Sequence, residues 1–120
     1  MNPEIKARWV AALQSGEYSQ TSDALRIENS FCCLGVLCDL YVKDGLGKWE
    51  DRIEDGETVF ATVGESGVLL PEEVGRWAGL PTTRPITPLP GPQDACIYLA
   101  DLNDRGSLFP EIASLIEQYL

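Results

Sequence analysis

The run from Phe31 to Val42, FCCLGVLCDLYV, constrains this chain more than any other feature. Read as a helix it is apolar on nearly every face, and only Asp39 puts a charge into it. A helix that is apolar all round has to be buried, and a run this short cannot cross a bilayer, which takes about 20 residues. The sequence therefore predicts a central core helix over 31–43, capped by Ser30 and ended by Asp44-Gly45. Gly35 marks a point where another element comes close. At 120 residues and 44% apolar content the chain can build and cover one core, so a single domain over 1–120 is expected.

Other elements have to pack around that helix. Asn2 and Pro3 have the chemistry of an N-cap and a first helical residue, and Ile5, Trp9, Ala12 and Leu13 follow at helical spacing, giving a helix from Pro3 to about Ser15. A short strand is expected within Ala24 to Ile27. Between Gly45 and Gly67 the pattern changes, with Thr58 to Val63 following Asp55-Gly56, which predicts a small hairpin or irregular sheet. Pro71 to Gly79 reads as a short third helix with Val74 and Trp77 inward. The proline-rich stretch 81–92 reads as a strap or loop. A fourth helix is expected from Gln93 or Asp94 to Leu102, a tight turn over Asn103-Asp104-Arg105-Gly106, and a fifth helix with Ile112, Leu115, Ile116 and Tyr119 on one face. The expected fold class is α+β, mostly helical, with about five short helices around the central one.

Charge narrows the role. Nineteen acidic residues against nine basic ones give a net charge of −10, and there is no histidine to titrate near neutral pH. Such a surface repels phosphate backbones, so nucleic-acid binding is not expected unless cations such as Arg26, Lys43, Lys48, Arg84 and Arg105 gather locally. Five of the acids, Glu50, Asp51, Glu54, Asp55 and Glu57, crowd the hairpin region, as a solvated surface would also have them. The N-terminal residues lack the pattern of a secretory signal, and no membrane span is predicted, so a cytoplasmic location is expected.

Histidine's absence removes Ser-His and Cys-His dyads and imidazole metal sites. No phosphate-binding glycine loop is present. Cys32, Cys33 and Cys38 share one apolar segment without paired CxxC spacing and read as buried thiols, as does Cys96; Cys32 and Cys33, near a helix N-terminus, are the candidates for redox chemistry. Asp101 and Asp104 could hold a metal, although an acidic chain always offers such pairs. Asp101, Asn103, Asp104 and Arg105, at a turn between two helices, are the most site-like polar group, with capping and turn formation as the plainer explanation. Arg26, Arg84 and Arg105, with Trp49 or Tyr18, could form an anion-binding pocket if they converge; scattered surface arginines are the alternative. No cofactor is implied.

Trp9-Val10, Ala12-Leu13, Ser15-Gly16, Tyr18 and Gln20, the helix Phe31 to Tyr41, Trp77 to Leu80, and Leu102 to Gly106 together resemble a family of small bacteriophage and prophage proteins that share an FCCLGVLCDLY helix and a C-terminal LADLNDxG motif. Similar sequences have a small hydroxylic residue capping the last helix where this chain has Leu108, so capping is expected to shift to Ser107. The tail also resembles the opening of a helix-turn-helix, but no recognition helix follows it.

That resemblance, with the missing catalytic inventory, implies a non-enzymatic phage accessory protein that counters host defence in the bacterial cytoplasm. One form of it sequesters a small anionic signalling nucleotide between Arg26, Arg84, Arg105, Tyr18 and Trp49, with Asp101, Asn103 and Asp104 nearby, in a homo-oligomer whose interface doubles the positive charge. A second form blocks a basic host defence protein with the acidic surface, as an anti-CRISPR-like inhibitor would. A structural or regulatory phage protein and a metal enzyme using Asp101 and Asp104 are the remaining alternatives.

Overall fold

The computed structural model describes residues 1–64, 67, 69–80 and 95–120. Over these the chain is α+β and mostly helical. Its elements are α1 (Pro3–Gln14), β1 (Ser19–Gln20), β2 (Arg26–Ile27), β3 (Ser30–Phe31), α2 (Cys33–Lys43), β4 (Trp49–Glu54), β5 (Glu57–Val63), α3 (Glu72–Ala78), α4 (Ala95–Asp104) and α5 (Phe109–Tyr119). Arg84 with the whole 81–92 stretch, the expected helix start at Gln93 or Asp94, and the side chain of Cys96 lie outside the described residues.

Helix ends show where local chemistry decides and where it does not. Asn2 caps α1 as expected, its Oδ1 accepting from the N–H groups of Glu4 and Ile5 at 2.9 and 3.2 Å. For α2 the expectation is corrected: Ser30 and Phe31 form β3, and the cap is Cys32, whose Sγ accepts from the Gly35 N–H at 3.3 Å. Ser30 and Phe31 lie between β1 and β2, so extended backbone satisfies their polar groups on both sides, which another half-turn of helix would not. α4 runs on through Asn103 and Asp104, which shortens the expected four-residue turn to Arg105-Gly106. Capping of α5 is also corrected: Leu108, not Ser107, is the N-cap residue, and it has no side-chain oxygen to offer.

The core is built on α2. Cys33, Leu34, Val36, Leu37 and Cys38 have no exposed surface, and full burial of each large apolar side chain contributes about 1.5–3 kcal/mol. α1 packs on α2 and α5, and α3 and α4 pack on α2. Trp9 is fully buried and its indole N–H donates to the Cys33 carbonyl at 2.9 Å, tying α1 to the first turn of α2. On α5 Ile112 and Ile116 are buried, while Leu115 and Tyr119 are half-buried. Val74 points inward as predicted; Trp77 is only partly covered and meets Tyr41 edge-on at 5.4 Å.

Burial also settles the chemistry of Cys32. Its thiol is 4% exposed and is pushed up to about 11, chiefly by desolvation, which corrects the redox expectation for this residue. Cys33 is likewise buried, its Sγ 3.4 Å from the Leu99 carbonyl. Brief iodoacetamide treatment of the native protein at pH 8 is expected to leave the tryptic peptide from Ile27 to Lys43 unmodified, and the same treatment in urea to label it fully. Because the folded thiol is raised from 9.0 to about 11, its contribution to stability is present below pH 9 and is lost as pH rises toward 11.

The strands form one mixed sheet in the order β1-β3-β2-β5-β4, parallel between β1 and β3 and antiparallel elsewhere. Asp55 and Gly56 turn the β4–β5 hairpin with φ of 52° and 81°, the paired positive values of a two-residue primed turn. Gln20, Phe31, Arg26, Ala61 and Asp51 are successive partners across the sheet and so share one face. Among the described residues no helix is long and apolar enough to cross a membrane.

Candidate functional site

Three arrangements gather the polar and aromatic side chains. The first centres on Asp39, the one carboxylate in α2. Its carboxylate is 13% exposed and accepts from the Tyr18 hydroxyl at 2.5 Å, from the Trp49 indole N–H at 3.1 Å and, as an ion pair at 3.4 Å, from Lys43. Lys43 also donates to the Tyr18 oxygen at 3.0 Å. Desolvation, reinforced by the Asp39 hydrogen bond, pushes the Tyr18 phenol up, and the bond to Tyr18 raises Lys43. The carboxylate is thus committed to holding two rings in place rather than left available as a base.

Those rings continue into an arc. Tyr18 meets Phe31 edge-on at 5.0 Å and Phe31 meets Trp49 at 6.0 Å. The Arg26 guanidinium lies 5.2 Å from the centre of Phe31 and 5.4 Å from that of Trp49, and its Nε donates to the Glu28 carbonyl at 2.6 Å. Among the described residues Arg26 has no carboxylate partner, so two ring faces hold it instead.

The second arrangement is a pair of side-chain amides. Asn103, 3% exposed, accepts through Oδ1 from the Cys33 N–H at 3.1 Å and from Gln20 Nε2 at 2.9 Å, and donates through Nδ2 to the Thr21 carbonyl at 2.7 Å. Gln20 also donates to the Ser107 carbonyl at 2.7 Å, and its Oε1 accepts from the Phe109 N–H at 3.2 Å. One amide thus serves the first N–H of α2 and the other the first N–H of α5, which is why Leu108 needs no capping side chain. Asp104 supports the same corner by accepting from the Asp23 N–H at 3.0 Å, where Asp23 has a left-handed φ of 67°. An open hollow of about 420 Å³ lies beside the pair, lined by Gln20, Thr21, Ser22, Asn103, Asp104, Gly106 and Leu108. Among the described residues it presents a carboxylate and no cation, the wrong sign for a phosphate.

The third is the β4–β5 hairpin. Every β4 residue after Trp49 is exposed, as are Asp55 and Glu57, so all five carboxylates of the cluster face solvent. Ile53 is 62% exposed among them.

The structure thus brings Tyr18, Trp49 and Arg26 into one arc. It places Asn103 and Asp104 in the amide corner, and pairs Arg105 with Asp101 at 3.1 Å on the exposed side of α4. Gln20, Phe31, Asp39 and Lys43 were not on the sequence's list of site residues. Asp39 left a signal, since a lone carboxylate in an apolar helix needs donors, and Tyr18 and Trp49 can supply them. Among the described residues no three Cys, Asp or Glu side chains come together as metal ligands.

A family-wide sequence model covers residues 1–120, the whole of the chain. The chain belongs to that family, Domain of unknown function (DUF8296). No curated protein and no solved structure matches it. Within this DUF8296 chain, Trp9, Cys33 and Asn103 meet at the N-terminal turn of α2, and Gln20 joins them through its bond to Asn103. These motif residues hold the scaffold, while Tyr18 and Phe31, from the same motifs, form part of the arc.

Proposed function

We propose that the chain is a non-enzymatic binding protein whose acidic β4–β5 hairpin docks on a cationic protein. On its resemblance to phage and prophage proteins, the partner is a component of host defence in the bacterial cytoplasm. The observation that carries this reading is the hairpin itself: five exposed carboxylates on a two-stranded arm, in a chain of net charge −10. Charge concentrated in this way steers encounter with a positive surface and rejects negative ones.

Combined substitution of Glu50, Asp51 and Glu54 by lysine tests it. These side chains lie outside the core, so the thermal midpoint is expected to stay within a few degrees of wild type. Plating of a phage restricted by the relevant defence should be restored by the wild-type chain and not by the variant. Equal rescue by both proteins sinks the reading.

One observation favours a second reading, capture of a small anionic signalling nucleotide: Arg26 is held between Phe31 and Trp49, with Lys43 on Tyr18 at the other end of the arc. Calorimetry with cyclic nucleotides and ADP-ribose derivatives decides it. Binding heat that disappears in Arg26→Ala supports nucleotide capture, and absence of heat with every compound ends it.

A further inference from the structure

We infer that the hairpin recognises its partner by strand addition, with β4 as the docking edge and a lysine- or arginine-rich extended segment as the occupant; this rests on the protein-partner reading above. β4 is the last strand of the sheet, paired only with β5 among the described residues. An edge strand carries main-chain donors and acceptors on its outer side, ready to template another strand.

Register shows which groups those are. In a two-residue hairpin the pair flanking the turn, here Glu54 and Glu57, exchanges both hydrogen bonds, so the next pair, Ile53 and Thr58, is the non-bonded kind. The N–H and C=O of Ile53 therefore face away from β5, just on the turn side of a register shift between Arg52 and Ile53 where Val59 is the extra residue on β5. Its side chain, 62% exposed, offers an apolar contact at the same point.

Charge selects the occupant. A second copy would bring Glu50, Asp51 and Glu54 of one β4 against the same three of the other, with Arg52 in each strand and Lys48, 3.8 Å from Glu50, to offset them. Like charges on facing strands are destabilising, which protects the edge from self-association. A cationic strand meets the same row with complementary sign, and main-chain pairing then adds affinity that charge alone does not supply.

The test uses the full chain and a short peptide alternating lysine with valine, followed by titration calorimetry and amide exchange. The peptide is expected to bind the wild type, to protect the Ile53 amide from exchange, and to bind Ile53→Pro on the order of tenfold more weakly, since proline removes the outward donor. The same peptide N-methylated at every second residue should lose affinity similarly, a check independent of how the proline variant folds. If the methylated peptide binds as tightly as its parent, strand addition is overturned while charge-driven docking stands. If no cationic peptide binds at low salt, both fail. A wild-type dimer in solution that Ile53→Pro dissolves would make a second copy the occupant and overturn the cationic one.

Discussion

Replacing Asn103 by alanine is expected to lower stability by about 3 to 5 kcal/mol, because each buried polar group left without a partner costs about 1–3 kcal/mol and this side chain serves several. The Cys33 N–H loses its acceptor at the first turn of the core helix, the Thr21 carbonyl loses its donor, and Gln20 loses an anchor. At 3% exposure little water can enter to replace the amide. Urea unfolding should show a lower midpoint with an unchanged slope, the signature of a weakened native state. Gln20→Ala should be milder, since Gln20 is only half-buried. Combined, the two should cost less than their sum, by about 1 kcal/mol, because they share a hydrogen bond. A loss for Asn103→Ala below about 1 kcal/mol would mean that the corner rearranges and that the amide pair does not hold the two helices.

The same corner shows what the sequence could and could not reveal. Helix α2 was legible because an all-round apolar run has one physical solution, burial, and the hairpin because Asp-Gly suits a turn with two positive φ values. The cap of α1 was legible because Asn2 acts within three residues. The ends of α2 and α5 were not, since the amides serving them lie far away in sequence: Asn103 is 70 residues from Cys33 and Gln20 is 89 from Phe109. Capping rules read a window of a few residues and assigned Ser30 and Ser107 by proximity.

Binding residues were legible in the same uneven way. Tyr18, Trp49 and Arg26 were picked as residue types suited to an anion, but the ordering of the arc depends on Asp39 and Phe31, which bring three distant segments together. A guanidinium can settle on a ring or on a carboxylate, and sequence alone does not rank the choices. Arg26 took two rings, whereas Arg105 took Asp101 one helical turn back. The place of β4 at the edge of the sheet among the described residues depends on strand order, which no local pattern encodes.

Gly35→Ala sets two effects against each other, and their sizes decide the outcome. On helix propensity alone alanine would stabilise α2 by about 1 kcal/mol. A Cβ at this position, however, would fall on the Leu25 carbonyl oxygen, a main-chain atom that cannot rotate aside as a side chain does. That carbonyl accepts from the Cys32 N–H at 3.1 Å, so moving it breaks a buried hydrogen bond as well as the packing. Overpacking costs typically 1–3 kcal/mol and more where backbone must shift, so the net expectation is a loss of about 3 kcal/mol or more. Because Leu25 immediately precedes β2, the displacement should reach Arg26 and the strands beside it. Far-ultraviolet dichroism should keep its helical signal, while limited trypsin digestion after Arg26 speeds up, since β2 is displaced before the helices give way. Should Gly35→Ala prove more stable than wild type, the helix propensity would have won, and the close approach of the Leu25 segment to α2 could not be what fixes β2 against the core.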